Sequence, residues 1–262
     1  MTRLTGMAAP DRPLSARSVV ASTLLGTDPP ELPAAALVRV GALFDMGEGT
    51  IRTALSRMAS GGELDRVDDG RYRLAGDLLT RAGIQSVSRA AAVTTWSGRW
   101  RQAIVLAGPR SASERSNLRR AMTRLRHGEL RDGVWLRPDN LDPQRWPDAH
   151  DIVDEQCRWF AVSPDHDDDL AASLWDLDAW AGRATELRRS MVELVGRLDD
   201  GDPTALAPGF IVSAAVLRHF NSDPLLPREL QPRHWPGDRL RADYDRYDAA
   251  YRRLLGAYLR EH

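Results

Sequence analysis

Apolar residues recur at helical spacing from Ser15 onward, and the period changes in places that mark element boundaries. Ser15 is placed to cap a first helix that turns Val19, Val20, Thr23 and Leu24 inward and stops at Gly26 and Pro29-Pro30. A second helix is predicted from Leu32-Pro33, with Leu37, Val40, Gly41 and Phe44 on its buried face. After the turn Asp45-Met46-Gly47 comes EGTIRTALSRMAS, Glu48 to Ser60. On a helix, Ile51, Ala54, Leu55 and Met58 share one face of that stretch. Gly49, Thr53, Ser56 and Ser60 share the other, with Arg52 and Arg57 on its flanks. The period then falls to two. Leu64 to Val67 and Arg71 to Leu74 are predicted strands around Asp68-Asp69-Gly70, with Tyr72 and Leu74 on one side and Arg71 and Arg73 on the other.

Residues 76 to 92 carry the stripe Leu78, Leu79, Ala82 and Val87 and are predicted to form a connecting helix. Beyond it a strand is expected over Arg101 to Ala107, then a helix from Ser113 with Leu118, Met122 and Leu125 inward. A strand with Val134 and Leu136 on one side and Trp135 on the other follows GELRDG. A short helix near Gln144 to Ala149 and a last strand near Gln156 to Val162 complete the segment. The order is close to β-α-β-β-α-β, a ferredoxin-like pattern. From residue 170 the chain is helical, with Leu174, Leu177, Trp180, Leu187, Met191, Leu194 and Leu198 at core spacing. Pro203 and Pro208 punctuate the next segment. Pro224, Pro227, Pro232 and Pro236 pin a packed loop before a final helix over Asp238 to Leu259.

Composition narrows the class. No apolar run nears the roughly 20 residues of a membrane helix, and MTRLTGMAAPDRP lacks the apolar core of a signal peptide. Cys157 is the one cysteine, so no internal disulfide can form, and a cytoplasmic setting is expected. A net charge of −1 conceals an uneven distribution. Residues 93–147 hold 11 arginines against 5 acids, residues 148–262 hold 14 against 22, and lysine is absent. Such a chain does not coat nucleic acid indiscriminately; its basic surface is local.

A helix with bare hydroxyls between guanidiniums, followed by a basic hairpin, has the layout of a winged helix-turn-helix. Small hydroxyl side chains allow close approach, and arginine forks suit guanine edges or phosphates. The DNA-binding candidates are therefore Thr50, Arg52, Thr53, Ser56, Arg57 and Ser60 on the helix, with Arg71 and Arg73 on the wing. The same three helices and hairpin also occur in protein-interaction modules, and exposed arginines also simply face water, so both readings stand at this point. The helix from 113 to 127 displays Arg115, Arg119, Arg120, Arg124 and Arg126, read as a solvated face or as a dock for phosphates. The six histidines are scattered without metal-site spacing, and Cys157 reads as a plain buried thiol. Asp167-Asp168-Asp169 reads as a helix N-terminus, and no phosphate-cradling glycine loop is present. No catalytic residue, metal ligand or cofactor is assigned.

Three stretches carry a resemblance to a known family. They are IRTALSRM with its trailing GG-L, W-SGRWR with the later GVWLRP, and HFNSDPLLPRELQPRHWPG. Together they make the chain similar, over nearly its full length, to the PaaX family of bacterial repressors of phenylacetic acid catabolism. The resemblance implies an α+β protein of three parts. Residues 1–92 would be a winged helix-turn-helix domain with connector helix, 93–165 a ferredoxin-like domain, and 166–262 a C-terminal helical domain. It implies a homodimeric transcriptional regulator, usually a repressor, on a pseudo-palindromic double-stranded operator. It also implies release by a small effector such as an aryl-acyl-coenzyme A, for which Arg110, Arg115 and Arg119 are the candidate dock. The related small nuclease keeps an acid at the end of its first strand, where this chain has Ala107, Gly108 and Pro109. A metal-dependent nuclease, the alternative reading, would lack its first ligand there.

Overall fold

The computed structural model describes residues 14–27, 29–67, 70–79, 88–91, 93–106, 108–142 and 144–261. The N-terminal tail over 1–13, the turn residues Asp68 and Asp69, and most of the connecting helix expected over 76–92 lie outside them. The fold is mixed α+β, with two antiparallel sheets among the described residues. By contact density the chain forms two units, 1–86 with 186–217 and 239–262, and 87–185 with 218–238. The residues after 166 are divided between both units.

In the first unit α1 spans Ala16–Leu25, started by a capping box in which Ser15 and Ser18 exchange hydrogen bonds. The sequence predicted a second helix from Leu32-Pro33; it begins instead at Ala34, and α2 is Ala34–Ala42 with Pro33 as its N-cap. Proline fixes an extended-compatible φ and offers no N–H, so Glu31–Pro33 pairs as a strand, β1. Helix α3 is Glu48–Ser60, β2 is Leu64–Val67 and β3 is Arg71–Leu74. The sheet order is β1-β3-β2, with Glu31 opposite Arg73, Pro33 opposite Arg71, and Leu64 opposite Leu74. One core holds the helices to this sheet: Val20, Leu24, Leu37, Ile51, Leu55, Met58, Leu64 and Leu74.

The same unit includes the second part of α7 (Leu177–Asp199), most of α8 (Leu206–Phe220) and nearly all of α9 (Gly237–Glu261). Arg188 pairs with Asp243 and Arg253 with Asp199 across α7 and α9. The Tyr247 hydroxyl donates to the Gly209 carbonyl at 2.8 Å. Two contacts tie these helices to α2: Arg39 donates to the Leu259 carbonyl at 2.9 Å, and Phe44 meets Phe210 edge-on at 5.0 Å. Phe44, expected on the buried face of the second helix, lies just beyond α2 and is half-buried against Phe210.

The second unit runs β4 (Trp100–Val105), α4 (Ala112–Arg124), β5 (Gly128–Arg131), β6 (Val134–Pro138), α5 (Pro147–Gln156) and β7 (Cys157–Val162). Its sheet order is β5-β6-β4-β7, antiparallel throughout. Several boundaries differ from the sequence reading, beginning with β4, which starts at Trp100 and ends at Val105. Helix α4 is capped by Ser111, whose box partner is Glu114, not by Ser113. Helix α5 starts at Pro147 and runs to Gln156, longer than expected, and GELR is itself a strand. On one sheet face Trp100, Val134 and Leu136 pack with Ala171, Leu177, Leu226 and Leu230. Those partners come from α6 (Asp167–Leu174), the start of α7 and the proline-rich loop. Leu174 belongs to α6 and not to the longer helix, because the chain turns at Trp175-Asp176.

The loop after α8 is fastened by specific contacts. His219 stacks on Trp180 at 4.3 Å and Trp235 stacks on it at 4.5 Å, giving a three-ring pile. The Asn140 side chain donates to the Leu225 carbonyl, and Asp223 accepts from the Leu225 N–H. Asp167 begins α6 as a dipole-favoured acid, and its carboxylate also accepts the N–H of the fully buried Trp100 at 2.7 Å.

Candidate nucleic-acid interface

Helix α3 is held by three residues on one side, Ile51, Leu55 and Met58, each with at most 2% of its surface exposed. Thr50, Arg52, Thr53, Ser56, Arg57 and Ser60 are all exposed on the remaining surface. Helix α3 therefore turns an apolar stripe inward and a hydroxyl-bearing stripe outward. Within the outward stripe the Thr53 hydroxyl donates to the Gly49 carbonyl at 2.7 Å, leaving its lone pairs for a donor from outside. Arg52 is ion-paired with Glu48 one turn earlier at 2.6 Å, whereas Arg57 has no ion pair among the described residues.

Beside α3 a cleft of about 710 Å³ runs to the start of α1, with Ser15, Arg17, Gly49, Thr50, Thr53 and Arg57 on its walls. Arg17 binds Glu63 in a fork at its rim, and that carboxylate holds the guanidinium pKa above its ordinary value. The Ser18 N–H donates to the Ser15 hydroxyl, which caps the start of α1 on the same wall.

Arg71 and Arg73, the arginines expected on the hairpin, share one carboxylate while staying partly exposed. Glu31 on β1 accepts from Arg71 Nε at 2.6 Å and from Arg73 Nη2 at 2.7 Å. These two hydrogen bonds hold the Glu31 carboxyl below its usual pKa. Glu31 is the site residue that sequence reasoning missed. Its signal was absent because a three-residue strand has no readable period, and the pairing is forty residues away.

The three residues expected to dock an effector separate into two environments. Arg110 and Arg115 meet at the start of α4, where Arg115 donates to the Arg110 carbonyl. Arg119 pairs with Glu129 on β5 at 2.6 Å and lies over the Trp135 ring. Arg126, expected on the displayed face, is instead buried, bonded to Ser88 and set over Trp146. Cys157 is a buried free thiol, and burial pushes its pKa up to about 11, which keeps it protonated and unreactive. Among the described residues no three His, Cys, Asp or Glu side chains gather as a metal site. No described helix is long and apolar enough to cross a membrane.

Comparison with known proteins matches the chain to three domain families in succession. Residues 15–78 match the PaaX-like protein family, 93–156 the PaaX protein central Cas2-like domain, and 175–261 the PaaX-like protein C-terminal domain. The chain belongs to the PaaX-like family. Its fold is similar to that of an uncharacterized protein from Mycobacterium tuberculosis, 38% identical, with a TM-score of 0.70. That likeness covers 93% of this chain and 98% of the other. No curated protein matches.

Proposed function

We propose that this PaaX-like protein is a transcriptional regulator, acting as a repressor, whose α3 enters the major groove of a double-stranded operator. The observation that carries the reading is the division of α3: Ile51, Leu55 and Met58 buried, and Thr53, Ser56, Arg57 and Ser60 exposed together. In this reading α1 to α3 with β1 to β3 form a winged helix-turn-helix within residues 1–92, and the hairpin is the wing. Residues 93–165 act as a ferredoxin-like module, consistent with the β-α-β-β-α-β order and the Cas2-like family description. Residues 166–262 would be the C-terminal helical domain. A homodimer would set two α3 helices on half-sites of a pseudo-palindrome about one helical turn apart.

Thr53, Ser56 and Ser60 would face base edges, with Arg57 reading guanine or holding phosphate. A small effector releases the DNA through its preference for the non-binding dimer arrangement. An aryl-acyl-coenzyme A at Arg110, Arg115 and Arg119 is the effector the family suggests. No observation favours the nuclease alternative beyond the Cas2-like description. The test is an electrophoretic shift with the DNA upstream of the protein's own gene. Specific retardation at physiological salt, lost on Arg57→Ala, is expected. No preference over random DNA of equal length would overturn the reading, and plasmid cleavage with magnesium or manganese would favour the nuclease.

A further inference from the structure

Strands β4 and β6 place Arg101 directly opposite Arg137. Side chains at such positions point to the same sheet face with Cβ atoms roughly 5 Å apart, where like charges repel. Arg137 is 3% exposed, and its guanidinium donates to three neutral oxygens: the Pro138 carbonyl, the Leu125 carbonyl and the Asn140 side chain. Both arginines line a pocket whose other charged walls are Arg145, Asp139 and Asp142. Three guanidiniums and two carboxylates line the pocket, and among the described residues neither Arg101 nor Arg137 has an ion pair.

Two buried polar groups on the same walls have no hydrogen-bond partner of good geometry among the described residues. His127 is 5% exposed, and neither of its ring nitrogens meets a hydrogen-bond partner of good geometry. Trp146 is 6% exposed, and its indole N–H is likewise unmet. A buried polar group left unmet costs about 1–3 kcal/mol, so two in one pocket indicate a missing partner. Trp146 is also the N-cap of α5, with φ 61° and ψ 62° and no side-chain cap bond. A left-handed conformation is strained for a bulky residue, and such strain gathers at binding sites. The helix thus presents its positive end beside the guanidiniums.

We propose that this pocket is an oxyanion site, in which Arg101, Arg145, His127 and the Trp146 indole N–H receive the phosphate or carboxylate head of a small ligand. The cavity volume is about 20 Å³, which leaves no room for the body of a ligand beyond its charged head. The pocket therefore takes the charged head, while the remainder of the ligand lies outside. The site is independent of whether α3 reads DNA.

The experiment is a titration of the full-length protein, free of DNA, followed by NMR of ¹⁵N-labelled histidine. The His127 signals are assigned with His127→Asn. Inorganic phosphate and acetate are added separately up to about 50 mM, a range that reveals even millimolar sites, with chloride matched for ionic strength. Saturable shifts of the His127 ring with either anion, weakened about tenfold or more by Arg145→Gln and largely restored by Arg145→Lys, support the site. Saturation with phosphate alone identifies a phosphoryl ligand, and with acetate alone a carboxylate. Arg131→Gln, which removes an exposed arginine outside the pocket walls, should leave the titration unchanged. Linear shifts, or shifts equal to those with chloride, would mean that only water meets His127 and would overturn the proposal.

Discussion

Gly41 on α2 lies against Ile51 on α3 so closely that a Cβ there would come within 2.5 Å of Ile51 Cγ1 and 2.7 Å of Cδ1. The missing side chain is what lets the two helices approach, and Ile51 is fully buried in the gap. Real carbon atoms do not approach so closely, so Gly41→Ala must displace Ile51 or push α3 outward. Overpacking of this kind costs about 1–3 kcal/mol. Urea unfolding should show that loss for Gly41→Ala. Combining it with Ile51→Ala should cost less than the two changes added, because the new methyl fills the cavity. Strict additivity would show that the contact does not limit the approach.

Glu31 sets how many cations the wing offers. With one carboxylate held by Arg71 and Arg73, the two guanidiniums present little net charge to a phosphate backbone. Glu31→Gln removes that competitor while keeping a hydrogen-bond acceptor. If the wing touches the backbone, the variant should bind DNA more tightly at low salt. Its plot of log K against log salt should also steepen by about 1, because the substitution removes one negative charge from beside two positive ones. Arg71→Ala/Arg73→Ala should flatten the same plot. A salt slope unchanged in both variants would remove the wing from the interface.

Much of this was legible in the chain, for a physical reason. Helix α3 has Ile51, Leu55 and Met58 at a strict 3.6 period with no proline inside, and β3 alternates polar and apolar residues, so their bounds follow from local pattern. Strand β2, with Asp65 and Arg66 both exposed, is instead set by its pairing with β3. Helix α5 was misplaced because its cap, Trp146, does not belong to the Ser, Thr, Asp or Asn set that marks helix starts. Strand β1 was missed because three residues carry no period, and its stability comes from pairing with β3. The pocket of Arg101, His127, Arg137 and Trp146 escaped detection altogether. Those residues are scattered over 45 positions, and only the register of β4 on β6 brings the two arginines face to face.

The family-resembling stretch HFNSDPLLPRELQPRHWPG is accounted for by packing. Trp180 lies between His219 and Trp235, and Leu226 and Leu230 reach the core around Trp100. Trp180→Ala would remove the middle ring of the pile and leave a large cavity. Stability should fall by about 3–5 kcal/mol, and limited proteolysis should begin within 221–236. A variant with near wild-type stability would mean that the prolines alone hold the loop.

His127 gives the second unit a pH dependence whose sign follows from its surroundings. Its ring is fully buried, and burial first, then Arg137, Arg101 and His150, push its pKa well below 6.5. The backbone at Leu125 favours the charged ring only weakly. Other groups facing the pocket are Asp139, Asp142 and Arg145, and the nearby His150 is shifted down as well, chiefly by burial. The unfolded chain takes up a proton near pH 6.5 that the folded one refuses, so stability present at neutral pH declines as pH drops below that point. Each such histidine contributes a slope approaching about 1.4 kcal/mol per pH unit. The carboxylates held low by hydrogen bonds, Glu31, Glu114 and Asp202, act only at lower pH, so the interval from 6.5 to 5 isolates the histidines. Urea midpoints across that interval should fall in the wild type and fall less in His127→Asn. Sulfate, whose charge is constant there, should reduce the wild-type decline by supplying the counterion that lets the ring ionise in place. If His127→Asn keeps the full slope, the ring is already charged or solvated in the folded protein, and the pocket is not the dry, cationic enclosure that its arginines imply.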